Sequence, residues 1–321
     1  MTRASLVRTF GTYGVVLALA ALILFGFLRY DRFLSMYNIM SVMRYNSMFL
    51  LVSLGMCFVI MTGGIDLSVG GVAAMASVAS ALASPHGLVP GLAAGVGVGL
   101  AAGIINGLLI TRARLAPFIA TLATMLAAQG TGLLMAGNAT VSVDYKSGFT
   151  AFGQGNWWIF PIPAVVALVA YALGSTVLNF TGFGRTVLAI GGGEDATKLM
   201  GLQADRTKFI VYLASGGLAG LAGIILASQF GAGQPIEGIG WELFAIAAVV
   251  VGGTLLTGGS GSVITTLAGV LLLGILFNVL NFENGMGWIS LSAYWQSVIR
   301  GAFLLVVVLI QARLSRTAKV A

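Results

Sequence analysis

The feature that most constrains this chain is a succession of apolar runs, each about 20 residues long, punctuated by short stretches of glycine, proline and charge. A helix rising 1.5 Å per residue needs about 20 residues to cross a hydrocarbon layer about 30 Å thick. Runs of that kind lie near 11–28, 37–61, 66–84, 88–111, 116–136, 161–180, 207–229, 240–257, 262–281 and 291–311. Hydrophobic residues make up 58% of the 321 and charged ones 8%, against about 25% charged in an ordinary soluble domain. No single soluble core hides that much apolar surface, and in lipid a helix satisfies its own backbone. The expectation is an all-α integral membrane protein of about ten transmembrane helices, one domain over 1–321. Its tightest junctions are Thr62-Gly63-Gly64-Ile65 and Gly258-Gly259-Ser260-Gly261.

The net charge of +7 does not point to nucleic acid, because the basic residues sit in short clusters between apolar runs. With the N-terminus inside, the inner side collects Arg3, Arg8, Arg112, Arg114, Arg185, Lys198, Arg206, Lys208, Arg313, Arg316 and Lys319. The outer side holds only Arg29, Arg32 and Lys146, while Arg44 and Arg300 fall within spans. This asymmetry predicts cytoplasmic N- and C-termini. The first run lacks an A-x-A site and ends at Arg29-Tyr30-Asp31-Arg32, so it reads as an uncleaved helix. The long hydrophilic segments are 137–160 outside, with Trp157 and Trp158 suited to the membrane interface, and 182–208 inside. The lone Cys57 can form no disulfide within the chain and reads as a small buried filler.

Gly91, Gly95, Gly99, Gly103 and Gly107 recur every four residues, which makes a groove for another helix. Gly216, Gly220 and Gly223 form a second such face. A weak internal repeat aligns Val59-Ile60-Met61-Thr62-Gly63-Gly64 with Val249-Val250-Val251-Gly252-Gly253-Thr254, suggesting two interrupted helices. A carboxylate at the bilayer centre costs about 2.5–3.5 kcal/mol, so Asp66 must meet donors, water or a cavity. After the glycine break it suits a helix N-cap, or part of a substrate path. On the inner side, Glu194-Asp195-Ala196-Thr197-Lys198-Leu199-Met200-Gly201 reads as a short helix with one apolar side. It suits either the membrane surface or docking by a cytoplasmic partner.

The chain has no G-x-x-x-x-G-K-[ST] and a single histidine, His86, so neither a P-loop nor a His-rich metal site is written in it. Ionisable residues within spans are few: Arg44, Arg300, Asp66 and Glu242. A proton- or sodium-driven carrier usually needs more of a relay, so the driving energy is expected from another subunit.

The run Gly55-Met56-x-Phe58-Val59-Ile60-x-Thr62-Gly63-Gly64-Ile65-Asp66-Leu67-Ser68-Val69-Gly70 resembles the hallmark of ribose-type ABC sugar permeases. Asn106-Gly107-Leu108, Pro117-Phe118-Ile119-Ala120-Thr121-Leu122, Gly184-Arg185 with Ala189-Ile190-Gly191-Gly192, and 252–259 extend the resemblance over about 45–312. Glu242, Ala245-Ile246 and Asn281-Phe282 resemble a galactofuranose permease subunit, whereas the family's usual arginine in the fifth helix is replaced at Gln129-Gly130. The resemblance implies a bacterial inner-membrane importer without cofactor in this chain, a second permease subunit, a cytoplasmic ABC ATPase and a periplasmic sugar-binding protein. It also implies a coupling helix within 185–203, drawing on Arg185, Glu194, Asp195, Lys198, Leu199 and Met200. For the substrate path the expected residues are Asp66, Ser68, Asn106, Gln129 and Asn278, each of which equally suits a helix–helix hydrogen bond. The rivals are a branched-chain amino-acid permease, a self-sufficient channel or secondary carrier, and a membrane enzyme. The last is disfavoured because no nucleophile, base and orienting group cluster.

Overall fold

A computed structural model describes residues 3–285 together with 295, 298–299 and 301–302, with side chains from residue 14 onward. Helices α1 (Arg3–Arg29), α2 (Met36–Met61), α3 (Val69–Ala83), α4 (Leu88–Thr111) and α5 (Pro117–Ala136) come first. An irregular excursion follows, holding β1 (Val141–Ser142), α6 (Thr150–Gln154), β2 (Asn156–Trp157) and β3 (Phe160–Pro161). The chain continues with α7 (Ile162–Phe180), α8 (Gly182–Gly192), α9 (Glu194–Leu199), α10 (Ala204–Phe230), β4 (Ala232–Gly233), α11 (Trp241–Val251) and α12 (Val263–Gly285). Among the described residues six helices are long and apolar enough to cross a membrane: α2, α4, α5, α7, α10 and α12. The expected helix at 291–311 falls almost wholly outside the described residues, as do Arg300, Arg313, Arg316 and Lys319.

Helix α10 is the hub, packed against α2, α3 and α4. The glycine faces explain how close it comes. A Cβ on Gly99 of α4 would meet the Gly216 carbonyl and lie 2.8 Å from the Gly220 Cα. One on Gly220 would lie 2.6 Å from the Gly95 carbonyl oxygen, so the two backbones touch where side chains would hold them apart. Gly223 faces the Ala73 carbonyl of α3, and Gly91 receives the Phe149 ring, whose atoms lie 2.6 Å from its Cβ position.

Two elements are too short to span. Helix α3 has 15 residues and α11 has 11, lengths of about 22 Å and 16 Å. The span expected at 240–257 therefore ends early, at Val251, because Gly252-Gly253 closes it. Its closure has the same form as the end of α2. The Gly63 N–H donates to Ile60 O at 2.8 Å and the Gly64 N–H to Val59 O at 3.2 Å. The Gly253 N–H donates to Val250 O at 2.9 Å and the Thr254 N–H to Val249 O at 3.2 Å. Both are Schellman turns, and they need the left-handed glycines found there, at φ 80° and 88°. A further bond joins the two regions, Gly259 N–H to Met61 O at 3.0 Å.

The excursion at 137–160 is tied down. Strands β1 and β4 pair antiparallel, Val141 opposite Gly233, which clamps the segment onto the end of α10. Arg44 of α2 donates to Gln154 O at 3.0 Å and to Asn156 Oδ1 at 2.7 Å. Strands β2 and β3 form a hairpin that leaves Trp157 and Trp158 exposed.

Candidate translocation site and coupling surface

The glycine break after α2 delivers Asp66 into the middle of the bundle. The Ser68 N–H and hydroxyl donate to one Asp66 carboxylate oxygen at 3.0 and 2.6 Å. The Ser215 hydroxyl of α10 donates to the other at 2.8 Å. Ser215 is the twelfth residue of α10, about 16 Å from its start, so this carboxylate lies well inside the bundle. The chain of bonds continues: the Asn106 amide donates to Ser68 Oγ at 2.8 Å, and the Thr124 hydroxyl donates to Asn106 Oδ1 at 2.6 Å. The Thr121 hydroxyl accepts from Leu67 N–H at 3.1 Å. Asp66, Ser68 and Asn106 are all fully buried. Asp66 caps by an Asx-type turn around Leu67, while the residue directly before α3 is Ser68. Four elements, α3, α4, α5 and α10, are thus knotted through one carboxylate.

The remaining expected path residues sit elsewhere. Gln129 is half-buried, its Cγ 3.2 Å from where a Cβ on Gly71 would lie. Asn278 and Asn38 exchange amide bonds at 2.8 and 3.1 Å, stapling α12 to the start of α2. Neither joins the Asp66 group.

Residues not singled out from the sequence line a cavity beside α2. It measures about 490 Å³ and is lined by α2, α11, α12, Ile299 and Gly301, with Tyr45, Phe49, Trp241, Phe244 and Phe277 in its walls and Glu237 at the approach to α11. The rings form a continuous series. Centroids are 5.3 Å apart for Tyr45 and Phe49, 5.0 Å for Phe49 and Trp241, 4.3 Å for Phe49 and Phe244, and 5.9 Å for Phe244 and Phe277. A local signal existed: Tyr45 and Phe49 are four apart and Trp241 and Phe244 three apart, each pair on one helix face. In an apolar chain those spacings read as packing. Helix α11 starts beside the start of α3, where a Cβ on Gly70 would meet the Gly238 carbonyl and lie 2.8 Å from a Glu242 carboxylate oxygen. That carboxylate sits at the N-terminal ends of two short helices, where free N–H groups favour negative charge.

At the other end, α8 and α9 are held by charge. Glu194 accepts from Lys198 at 2.7 Å and from Lys208 of α10 at 2.8 Å. Asp205 meets Arg114 at 3.1 Å and Lys198 at 3.5 Å. Burial pushes the Glu194 carboxyl up, but the hydrogen bonds from Lys198 and Lys208 outweigh it and hold the group below the usual range. The hydrogen bond to Glu194 in turn raises Lys198. Thr197 is the buried residue of α9, whereas Leu199 is 89% and Met200 65% exposed. The apolar side expected to rest against the membrane or a partner thus points away from the rest of the chain. Arg185 and Asp195 are also exposed. Among the described residues no group of three or more His, Cys, Asp or Glu is arranged to hold a metal.

The chain matches, over residues 38–308, the family described as branched-chain amino acid transport system / permease component. It is 41% identical over 305 residues to the ribose import permease protein RbsC of Bacillus subtilis, covering 94% of this chain and 93% of that protein. Identity to the L-arabinose transport system permease protein AraH of Escherichia coli is 38% over 304 residues, covering 94% and 90%. The fructose import permease protein FruG of Bifidobacterium longum is 32% identical over 314 residues, covering 94% and 90%. No solved structure gives a significant match. The matches run nearly end to end, over the interrupted helices and the exposed α9 alike, and on them the chain belongs to this family of permease components, as the multi-pass inner-membrane subunit of a transport system.

Proposed function

We propose that this permease pairs with a second permease subunit and passes a monosaccharide inward by alternating access, driven through α8 and α9 by the cytoplasmic ATPase. The chain crosses ten times with both termini cytoplasmic, as its charge asymmetry predicts, α3 and α11 being completed by the irregular segments beside them. The two Schellman turns at 59–64 and 249–254 mark a repeated helix–turn unit, and their glycines are the joints about which the path changes access. Asp66, Ser68 and Asn106 hold the first of those joints: their polar groups bond one another, with Thr124 and Ser215, and none faces open space. Gln129 and Asn278 act as interhelix contacts of the same kind. A periplasmic binding protein delivers the sugar to the face bearing the excursion at 137–160. Relatives that import ribose, arabinose and fructose support a monosaccharide, and the residues Glu242 and Asn281-Phe282 add galactofuranose to the sugars to be tested.

The single observation that carries the coupling reading is the outward apolar tip of α9, Leu199 with Met200, braced from behind by Glu194, Lys198 and Lys208. Burying two such side chains against a partner removes about 1.5–3 kcal/mol each of exposed apolar surface from water. Glu194 and Lys198 therefore serve the position of the helix, and Leu199 and Met200 serve the contact. In the reconstituted importer, Leu199→Asp should lower ATPase stimulation by sugar-loaded binding protein at least tenfold while the permease still inserts. Unchanged stimulation and uptake in that variant would rule the contact out.

A further inference from the structure

We infer that the aromatic cavity between α2, α11 and α12 is the seat a sugar ring occupies in transit; this rests on the importer reading above. The volume, about 490 Å³, lies within the range of about 300–1,000 Å³ usual for small-molecule sites. Its walls include the rings of Phe49, Trp241, Phe244 and Phe277, with Tyr45 at one side, among aliphatic side chains. An aromatic face carries the negative part of the ring quadrupole. A pyranose or furanose presents C–H bonds on its flat faces and hydroxyls around its edge, so it lies against such a wall without exchanging its hydroxyl hydrogen bonds for apolar contact. Among the described lining residues, the polar side-chain groups are the Tyr45 hydroxyl, the Glu237 carboxylate and the Trp241 indole N–H. That suits a passage, which must hold its cargo weakly enough to release it.

A branched-chain amino acid carries an ammonium and a carboxylate, and burying a charge without a partner is costly, whereas a neutral polyol brings no charge to such a wall. Phe49, Trp241 and Phe244 are each at most 9% exposed, so their positions are fixed by packing, while Leu243 at the rim is 51% exposed.

The test uses the permease in complex with its ATPase, reconstituted in liposomes. Leu243→Cys places one reactive thiol at the rim, since the native Cys57 is buried. Its modification by a small charged methanethiosulfonate is followed with D-ribose, L-arabinose, D-fructose or L-leucine at saturating concentration. At least one sugar should slow labelling threefold or more, with leucine without effect. Labelling slowed by leucine alone, or by nothing, would overturn the assignment. In parallel, Phe244→Leu should reduce uptake of the protecting sugar about tenfold and Phe244→Tyr should keep most of it, because the ring face is retained. Full uptake by Phe244→Leu would sink the cavity and leave the importer reading standing. Failure of the unsubstituted complex to accumulate any of these sugars, with leucine accumulated instead, would sink the importer reading itself.

Discussion

Asp66 takes three hydrogen bonds at a depth where water cannot replace them, two from Ser68 and one from Ser215. Removing its carboxylate orphans those donors, each unsatisfied buried group costing about 1–3 kcal/mol. Asp66→Ala should therefore destabilise the detergent-solubilised permease by several times the effect of Ser215→Ala, which removes one bond worth about 1 kcal/mol. Thermal unfolding followed by tryptophan fluorescence measures the order, and equal shifts would contradict it. Glu194 makes the second residue-level prediction. Its folded value lies below the ordinary one, so its stabilisation is complete above the ordinary glutamate value and lost as pH falls through the lowered folded value. A dye on Met200→Cys should keep constant anisotropy from neutral pH down to the ordinary glutamate range, then lose it in stronger acid. Adding Glu194→Gln should give the loosened signal already at neutral pH. The sequence makes Asp66 conspicuous because a carboxylate in an apolar run needs an explanation. Ser215, Thr121 and Thr124 are silent there, since hydroxyls are ordinary in membrane helices and their bonds to 65–68 and 106 depend on how the helices pack.

At the scale of elements, the spacing of glycines along α4 says how tightly it packs but not against what. The structure supplies the partner, α10, and separates glycines that carry contact from those that do not. Gly99 faces backbone, while Gly97 two residues earlier has nothing within 4 Å. Gly99→Ala should cost about 1–3 kcal/mol by overpacking, whereas Gly97→Ala should be neutral or gain up to about 1 kcal/mol of helix propensity. Thermal stability of the two variants side by side decides it; similar behaviour would discredit the packing account. Helix limits were legible where a strong stop follows, as at Thr111 or Ala136, the latter closed by a left-handed Gly137. The end of α11 lies earlier than expected: the glycine pair at 252–253 marks an interruption, but Leu255-Leu256 beyond it extends the expected span to 257, whereas the turn at Gly253 ends the helix. The segment 137–160 reads as a polar loop, yet it holds β1, whose partner β4 comes 90 residues later. No local pattern could pair them.

The whole molecule divides into an end where backbone is clamped by β1 and β4 and an end where charge braces α9. If charge asymmetry sets orientation, Trp158→Cys should be labelled by an impermeant reagent added to intact cells and Leu199→Cys only after the membrane is opened. Reversed labelling would invert the topology. The aromatic cavity belongs to this scale too, and its residues come from three runs that the sequence presents only as hydrophobic. Gly191 of α8 rests on the junction where Gly259 N–H bonds Met61 O, and a Cβ there would strike both groups. The last residue of α2 and the turn at 258–259 that follows α11 are thus seated on α8, while the earlier part of α2 carries Tyr45 and Phe49. If ATP turnover shifts α8, the end of α2 and the turn at 258–259 have no room to stay behind, and α2 carries that shift toward Tyr45 and Phe49. Grip on the cargo and consumption of fuel would then be two readings of a single displacement.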